Sequence, residues 1–397
     1  MEIREKAKNN GVGTCHRATI VIKESIYLMK SGVKWLATSH DTSVAALSFE
    51  GLKKMMIHRR LLGQMLGMAF CLMIGGTLSA QELWVKYPGG EGPGKGKKVV
   101  LISGDDEYRS EESMPQMGRI LSERHGFDCT VLFPVDPKNG TIDPSVNNNI
   151  PGLESLKDAD LVIMCLRFRN LPDDQMQHVV DYVESGRPII ALRTSTHAFN
   201  IKAGGKHSKY SWNDKKEWDG GFGRQVLGET WISHHGHHGV QATRGIFAPG
   251  QEENVLLKGI KSGEIFVPTD VYGVTIPLPG DSKPLILGEV AVGMNPEDKA
   301  LEGPKNNPMM PVAWTKTYKT ASGKSAKIFT TTMGASQDFS NEALRRLIVN
   351  ASYWASGLEN KIPEKADVTI VGEYKPTKYS FNGFTKGKKP VDFALKP

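Results

Sequence analysis

The chain has 397 residues, 50 Lys and Arg against 43 Asp and Glu, and a formal charge of +7. The excess is local: residues 1–60 carry +6 and residues 81–397 only +1, which excludes a broad phosphate-binding face and, with it, nucleic acid as a partner. Apolar content of 39% with 23% charged residues excludes a disordered or collagen-like chain.

Leu61 to Ile74 is a 14-residue apolar run behind His58, Arg59 and Arg60, closed by Gly75, Gly76, Thr77, Leu78, Ser79 and Ala80. That layout predicts a signal peptide over 55–80, cut after Ala80, and hence export to the periplasm or beyond. The run is too short for a stable membrane span, which needs about 20 apolar residues. Met55 or Met56 would start such a peptide, so 1–54 is read as a mis-assigned or disordered extension. Of four cysteines, only Cys129 and Cys165 lie beyond the cut, both in apolar strand-like runs, where cysteine acts as a small buried hydrophobe.

Residues 81–97 are Gly-rich and read as a linker. They lack the preceding strand and following helix of a phosphate loop. From Lys98 a βα alternation begins. Strands are expected at Val99–Ser103, Cys129–Phe133, Leu161–Leu166 and Pro188–Leu192, with helices over Ser113–His125 and Pro172–Ser185. Continuous apolar strands between helices predict a mostly parallel sheet covered on both faces, with ligands beyond the carboxyl ends of its strands. Residues 200–238 follow as a long loop holding Trp212, Trp218 and Trp231. Further strands are expected at Gly239–Thr243, Pro284–Val292, Val312–Tyr318 and Lys327–Thr332, then a helix over Asn341–Ser356. Residues 361–397 have no periodicity and read as a solvated tail.

Candidate chemistry collects at the strand ends. Asp105, Asp106 and Arg109 follow the first strand, Arg169 the third, and Arg193 and His197 the fourth. Asp105, Asp106 and Arg109 would bind hydroxyl or carbonyl oxygens, and Arg169 and Arg193 would stabilise developing negative charge. Glu229 to His238 (ETWISHHGHH) is the densest cluster. Its histidines suit proton transfer or metal ligation. In an extended chain only alternate residues share a face, so His235 and His237 form the natural metal pair, with Asp105, Asp106 or His197 as a third ligand. Trp231, with Trp212 and Trp218, offers flat faces for sugar rings, or a small core under the loop. Gly104 stands without the spaced glycines of a dinucleotide fingerprint, and no cofactor is expected, a divalent metal being the minority reading.

The segments ISGDDEYRSEESMPQ, RPIIALRTSTHAF, GGFGRQVLGETWISHHGHHG and MPVAWTKTYKTASGKSAKIFTTTMGAS, with the closing FSNEALRRLIVNASYWASGLE, resemble a ThuA-like (trehalose utilisation) domain over 98–360, in the form exported by planctomycete-type bacteria. The resemblance implies a flavodoxin-like, class I glutamine amidotransferase-like three-layer α/β sandwich. It also implies processing of trehalose-like or keto-sugar disaccharides. Arg193 stands where amidotransferase relatives carry a nucleophilic Cys, which excludes Cys–His amide hydrolysis at that turn. Arg193 and Gly334-Ala335 also replace the histidines many ThuA-like members carry at these two turns. The expected function is acid/base chemistry on a carbohydrate. His197, His234 or His235 would move the proton, with Arg193 assisting, and Asp105, Asp106, Arg109, Arg169, Glu229, Trp231 and His237 would bind substrate. A non-catalytic sugar-binding module is the alternative, and a metal-dependent hydrolase the third reading.

Overall fold

The computed structural model describes residues 83–395. The expected signal peptide and the extension before it lie outside them. Twelve strands occur in the described residues: β1 (Trp84–Tyr87), β2 (Lys98–Gly104), β3 (Asp128–Leu132), β4 (Leu161–Leu166), β5 (Ile189–Leu192), β6 (Ser233–His234), β7 (Thr243–Phe247), β8 (Ile265–Val267), β9 (Tyr272–Gly273), β10 (Lys283–Val290), β11 (Met310–Lys319) and β12 (Ser325–Thr331). Ten form one sheet in the order β1-β3-β2-β4-β5-β12-β11-β10-β7-β8. The expected parallel arrangement holds for the central five, β3-β2-β4-β5-β12. The sheet is antiparallel beyond them on both sides, so the whole is mixed. The change of sense at β11 and β12 follows from their tight turn, in which the N–H of Thr320 reaches the Lys324 carbonyl.

Helices α1 (Ser110–His125), α2 (Asp173–Glu184) and α3 (Glu342–Ala355) flank the sheet. The strand alternation sorts the core. Val99 and Leu101 join Met114, Met117 and Ile120 of α1 and Leu344, Leu347 and Ile348 of α3 on one face. Val100 and Ile102 join Met176, Val179 and Val183 of α2 on the other. α1 ends at Gly126 with φ 79°, a left-handed turn that glycine adopts without a Cβ clash. Asn341 caps α3 by accepting the Leu344 N–H at 2.8 Å. Among the described residues no helix is long and apolar enough to cross a membrane.

Three segments depart from the sequence reading. The strand expected at Gly239–Thr243 runs instead over Thr243–Phe247. The linker contains β1, paired antiparallel with β3, because Val85 and Tyr87 alternate inward; the glycines that follow hide a strand of four residues. The tail is largely exposed but is anchored at intervals. Ile362, Ala366 and Val368 enter the core, and the Tyr379 side chain is buried. The tail packs through a series of turns, so its apolar residues show no period. Cys129 on β3 and Cys165 on β4 are buried free thiols, separated by β2, with burial pushing both thiols up.

Candidate functional site

Strands β2, β4 and β5 end at one rim of the sheet, and each passes into a residue in the left-handed region: Arg109 (φ 59°), Phe168 (φ 49°) and Arg193 (φ 43°). Such backbone is disfavoured for residues with a Cβ and gathers at functional sites. β3 and β4 leave β2 in opposite directions within the sheet, which makes this rim the switch point where ligands bind in such folds.

Arg193 is fully buried. Its Nη1 donates to the carbonyls of Asp270 (2.8 Å) and Thr332 (2.7 Å), and its Nη2 to Asp270 Oδ1 (2.8 Å) and the Tyr108 hydroxyl (3.0 Å). The guanidinium also lies 3.8 Å from the centre of the Tyr272 ring. Burial alone would favour the neutral form, but Tyr108, Tyr272 and Asp270 outweigh it and keep the guanidinium charged. Burial likewise opposes the Asp270 anion; Arg193, then His234 and His238, reverse this and hold its carboxyl below the usual range.

From this buried carboxylate hang two imidazoles. His234 Nδ1 lies 2.7 Å from Asp270 Oδ2, and His238 Nδ1 3.1 Å from Oδ1. His238 Nε2 meets Glu107 Oε1 at 3.2 Å. The two side chains are 38% and 35% exposed, whereas Asp270 is not exposed at all. The short β6–β9 ladder sets His234 opposite Tyr272. At Gly236 the chain turns against Asp270, where a Cβ would come within 3.1 Å of the aspartate's own. Burial, then the neighbouring Asp105 charge, push the Glu107 carboxyl up. Two carboxyl groups driven in opposite directions thus stand on either side of His238.

The structure redistributes the expected roles. His234 sits in the cluster, with Trp231 at its side, ring centroids 5.8 Å apart. His197 lies beneath Trp231 and Phe168; burial, then Arg167 and Arg193, hold it well below the usual histidine range, so it is a neutral wall. Asp106 remains at the rim, paired with Arg167 at 3.0 Å. The other expectations are corrected. Asp105 caps its own turn, accepting the N–H groups of Glu107 and Tyr108 at 2.7 Å each and the Thr194 hydroxyl. Arg109 is buried and donates to the carbonyls of Asp106, Glu107 and Ser380. Arg169 is spent on the carbonyls of Pro144, Val146 and Arg167. Glu229 binds Arg224 and the Thr230 N–H. Arg193 positions Asp270 and does not reach solvent.

His235 and His237 do not pair. The run is extended only to His234 and then turns, so His235 Nε2 faces the Lys305 carbonyl at 2.7 Å while His237 is exposed. The histidines that converge are four apart, not two. Donor atoms of His234, His238 and Asp270 lie within 4.8 Å of one another, a spacing one cation could span. In this arrangement, however, both Nδ1 atoms already face Asp270, and Arg193 already neutralises it, so the set is satisfied as a hydrogen-bond network. Trp218 lies apart from the rim, against Tyr210 and Lys209. Sequence reasoning passed over Asp270, an isolated acid just before the two-residue β9, and Tyr108, Tyr272 and Tyr379, which no spacing connects.

These features define an α/β protein with a His–Asp centre at the carboxyl rim of its sheet. Residues 98–355 match the ThuA family model, described as trehalose utilisation, and the chain belongs to that family. It is similar to a ThuA-like protein from Bacteroides uniformis at 16% identity, covering 68% of this chain and 95% of that one, with a TM-score of 0.39. A ThuA-like protein from Parabacteroides merdae is similar at 13% identity, covering 76% and 99%, with a TM-score of 0.40. No curated protein matches the chain.

Proposed function

We propose that this chain is an exported, carbohydrate-active enzyme that moves a proton beside the carbonyl of a keto-sugar, as isomerisation or elimination requires. Family membership supports the substrate class, and the apolar run Leu61–Ile74 supports export. The strand order β3-β2-β4-β5 supports reading the core as the flavodoxin-like sandwich.

The observation that carries the proposal is the pair of partly exposed imidazoles hung from one buried carboxylate. Asp270 fixes His234 with its Nδ1–H inward, which leaves Nε2 as the atom that takes a proton from carbon, the logic of a His–Asp dyad. His238 is held between Asp270 and Glu107, whose raised carboxyl retains a proton to higher pH than an ordinary glutamate and resupplies it to the forming enol oxygen. Opposite shifts of two neighbouring carboxyls are the signature of such an acid/base division. Trp231 offers its face to the C–H face of the sugar ring.

The test is incubation with trehalose and with 3-ketotrehalose in deuterated water, followed by NMR. The expected result is deuterium entering beside the carbonyl of the keto-sugar. His234→Ala should slow this about 10²- to 10⁴-fold, and His235→Ala should leave it unchanged. Sugar binding without exchange or product would replace the enzyme by a binding module. A His234→Ala variant as fast as the parent would remove the dyad.

A further inference from the structure

Beyond the span matched by the family model, the chain returns across the rim as a strap. Tyr374 donates its hydroxyl to the Ser336 carbonyl at 2.6 Å, and Thr377 holds Glu112 through its N–H (2.8 Å) and hydroxyl (2.6 Å). The Tyr379 ring lies 5.1 Å from that of Tyr108 and 5.3 Å from that of His238, against Ala335. The strap then turns sharply. The Ser380 N–H donates to the Glu107 carbonyl at 2.9 Å, buried Arg109 donates to the Ser380 carbonyl at 2.6 Å, and Asn382 takes φ 57°, a conformation asparagine tolerates better than most residues.

This anchored turn presents Phe381, which is 53% exposed. A phenyl group that served only to fasten the strap would be buried. Phe381 instead lies 4.8 Å from the Arg167 guanidinium, whose other neighbour is the Phe168 ring at 4.7 Å. Arg167 is in turn fixed by Asp106. A flat apolar face beside a fixed guanidinium and a carboxylate matches a pyranose, which has an apolar C–H face and a rim of hydroxyls. The rings of Phe168, His197, Trp231 and His234 run on from Arg167 to the proposed dyad.

We propose that the strap completes the site, with Phe381 stacked on Arg167 as the platform for the sugar ring that does not react, so that it selects disaccharides over monosaccharides. This rests on the carbohydrate reading above. The test is NMR titration of the full chain with α,α-trehalose and with D-glucose, for the parent, Phe381→Ala and Phe381→Trp. The alanine variant should lose about three- to tenfold in trehalose affinity, in line with a single aromatic contact. Its glucose affinity and melting temperature should stay unchanged, and tryptophan should restore trehalose binding. Trehalose binding by the parent that the alanine variant retains, or an equal loss for both sugars, overturns the platform. A parent that binds neither sugar overturns the carbohydrate reading and the platform with it.

Discussion

Replacing Asp270 by Asn tests whether the centre of the site is built as described. Arg193 and Asp270 are both fully buried and 2.8 Å apart. Removing one charge of a buried pair leaves the other without compensation, which costs about 3–5 kcal/mol. The asparagine side chain would also turn an amide donor toward groups that now donate to a carboxylate. For the roughly 310 described residues, at about 2.1 cal/mol/K each, that loss lowers the melting temperature by about 5–8 °C. Adding Arg193→Met should recover much of it, because the stranded charge is then gone. The assay is urea and thermal unfolding at pH 7 for the parent, the single variant and the double variant. Acid unfolding gives a second arm. The Asp270 carboxyl lies lower in the folded protein than its unfolded value of about 3.9, so its contribution is complete above that pH and is lost as pH falls toward the folded value. The Asn variant should therefore lose less stability than the parent below about pH 4. A single variant within about 1 kcal/mol of the parent, or a double variant no better than the single, would refute the account of Arg193 as a charge held in place by Asp270.

Glu111 is buried with neither carboxyl oxygen hydrogen-bonded, and burial pushes its carboxyl up to about 8, against a partial pull from Arg109. Its folded value is above its unfolded one, so stability should fall between about pH 4.3 and pH 8, by up to about 1.4 kcal/mol per pH unit. Glu111→Gln should flatten that decline, as read by urea unfolding across the range, and an unchanged slope would reject it. Ending the chain at Lys375 would remove Tyr379 from Tyr108 and His238 and leave Arg109 without the Ser380 carbonyl. The truncated protein should melt several degrees lower and lose turnover, as calorimetry and the exchange assay would show.

The parallel core was legible because β2, β4 and β5 are continuous apolar runs bounded by turns, and α2 and α3 carry strong helical periodicity. β1, β8 and β9 were not, because strands of two to four residues barely exceed the noise of alternation, and partners distant in the chain select them. At the site, the strand ends were legible as places but not as roles. Asp105, Arg109, Arg169 and Glu229 looked like ligand-binding groups, yet each is taken up by the protein's own backbone and side chains, some in its own turn and some brought from distant segments such as Thr194 and Ser380. The histidine block was visible from its density. Which pair converges depended on a turn at Gly236, and the group that unites them, Asp270, arrives from a segment with no pattern of its own.

The two thiols of the described chain sit on strands that flank β2 rather than facing one another, and both are sealed from solvent. Two strand spacings, about 9.5 Å, exceed the reach of a disulfide, whose Cα atoms lie within about 7 Å. Among the described residues the architecture is therefore indifferent to redox poise: it draws on no bond between these two thiols and exposes neither of them to peroxide or glutathione.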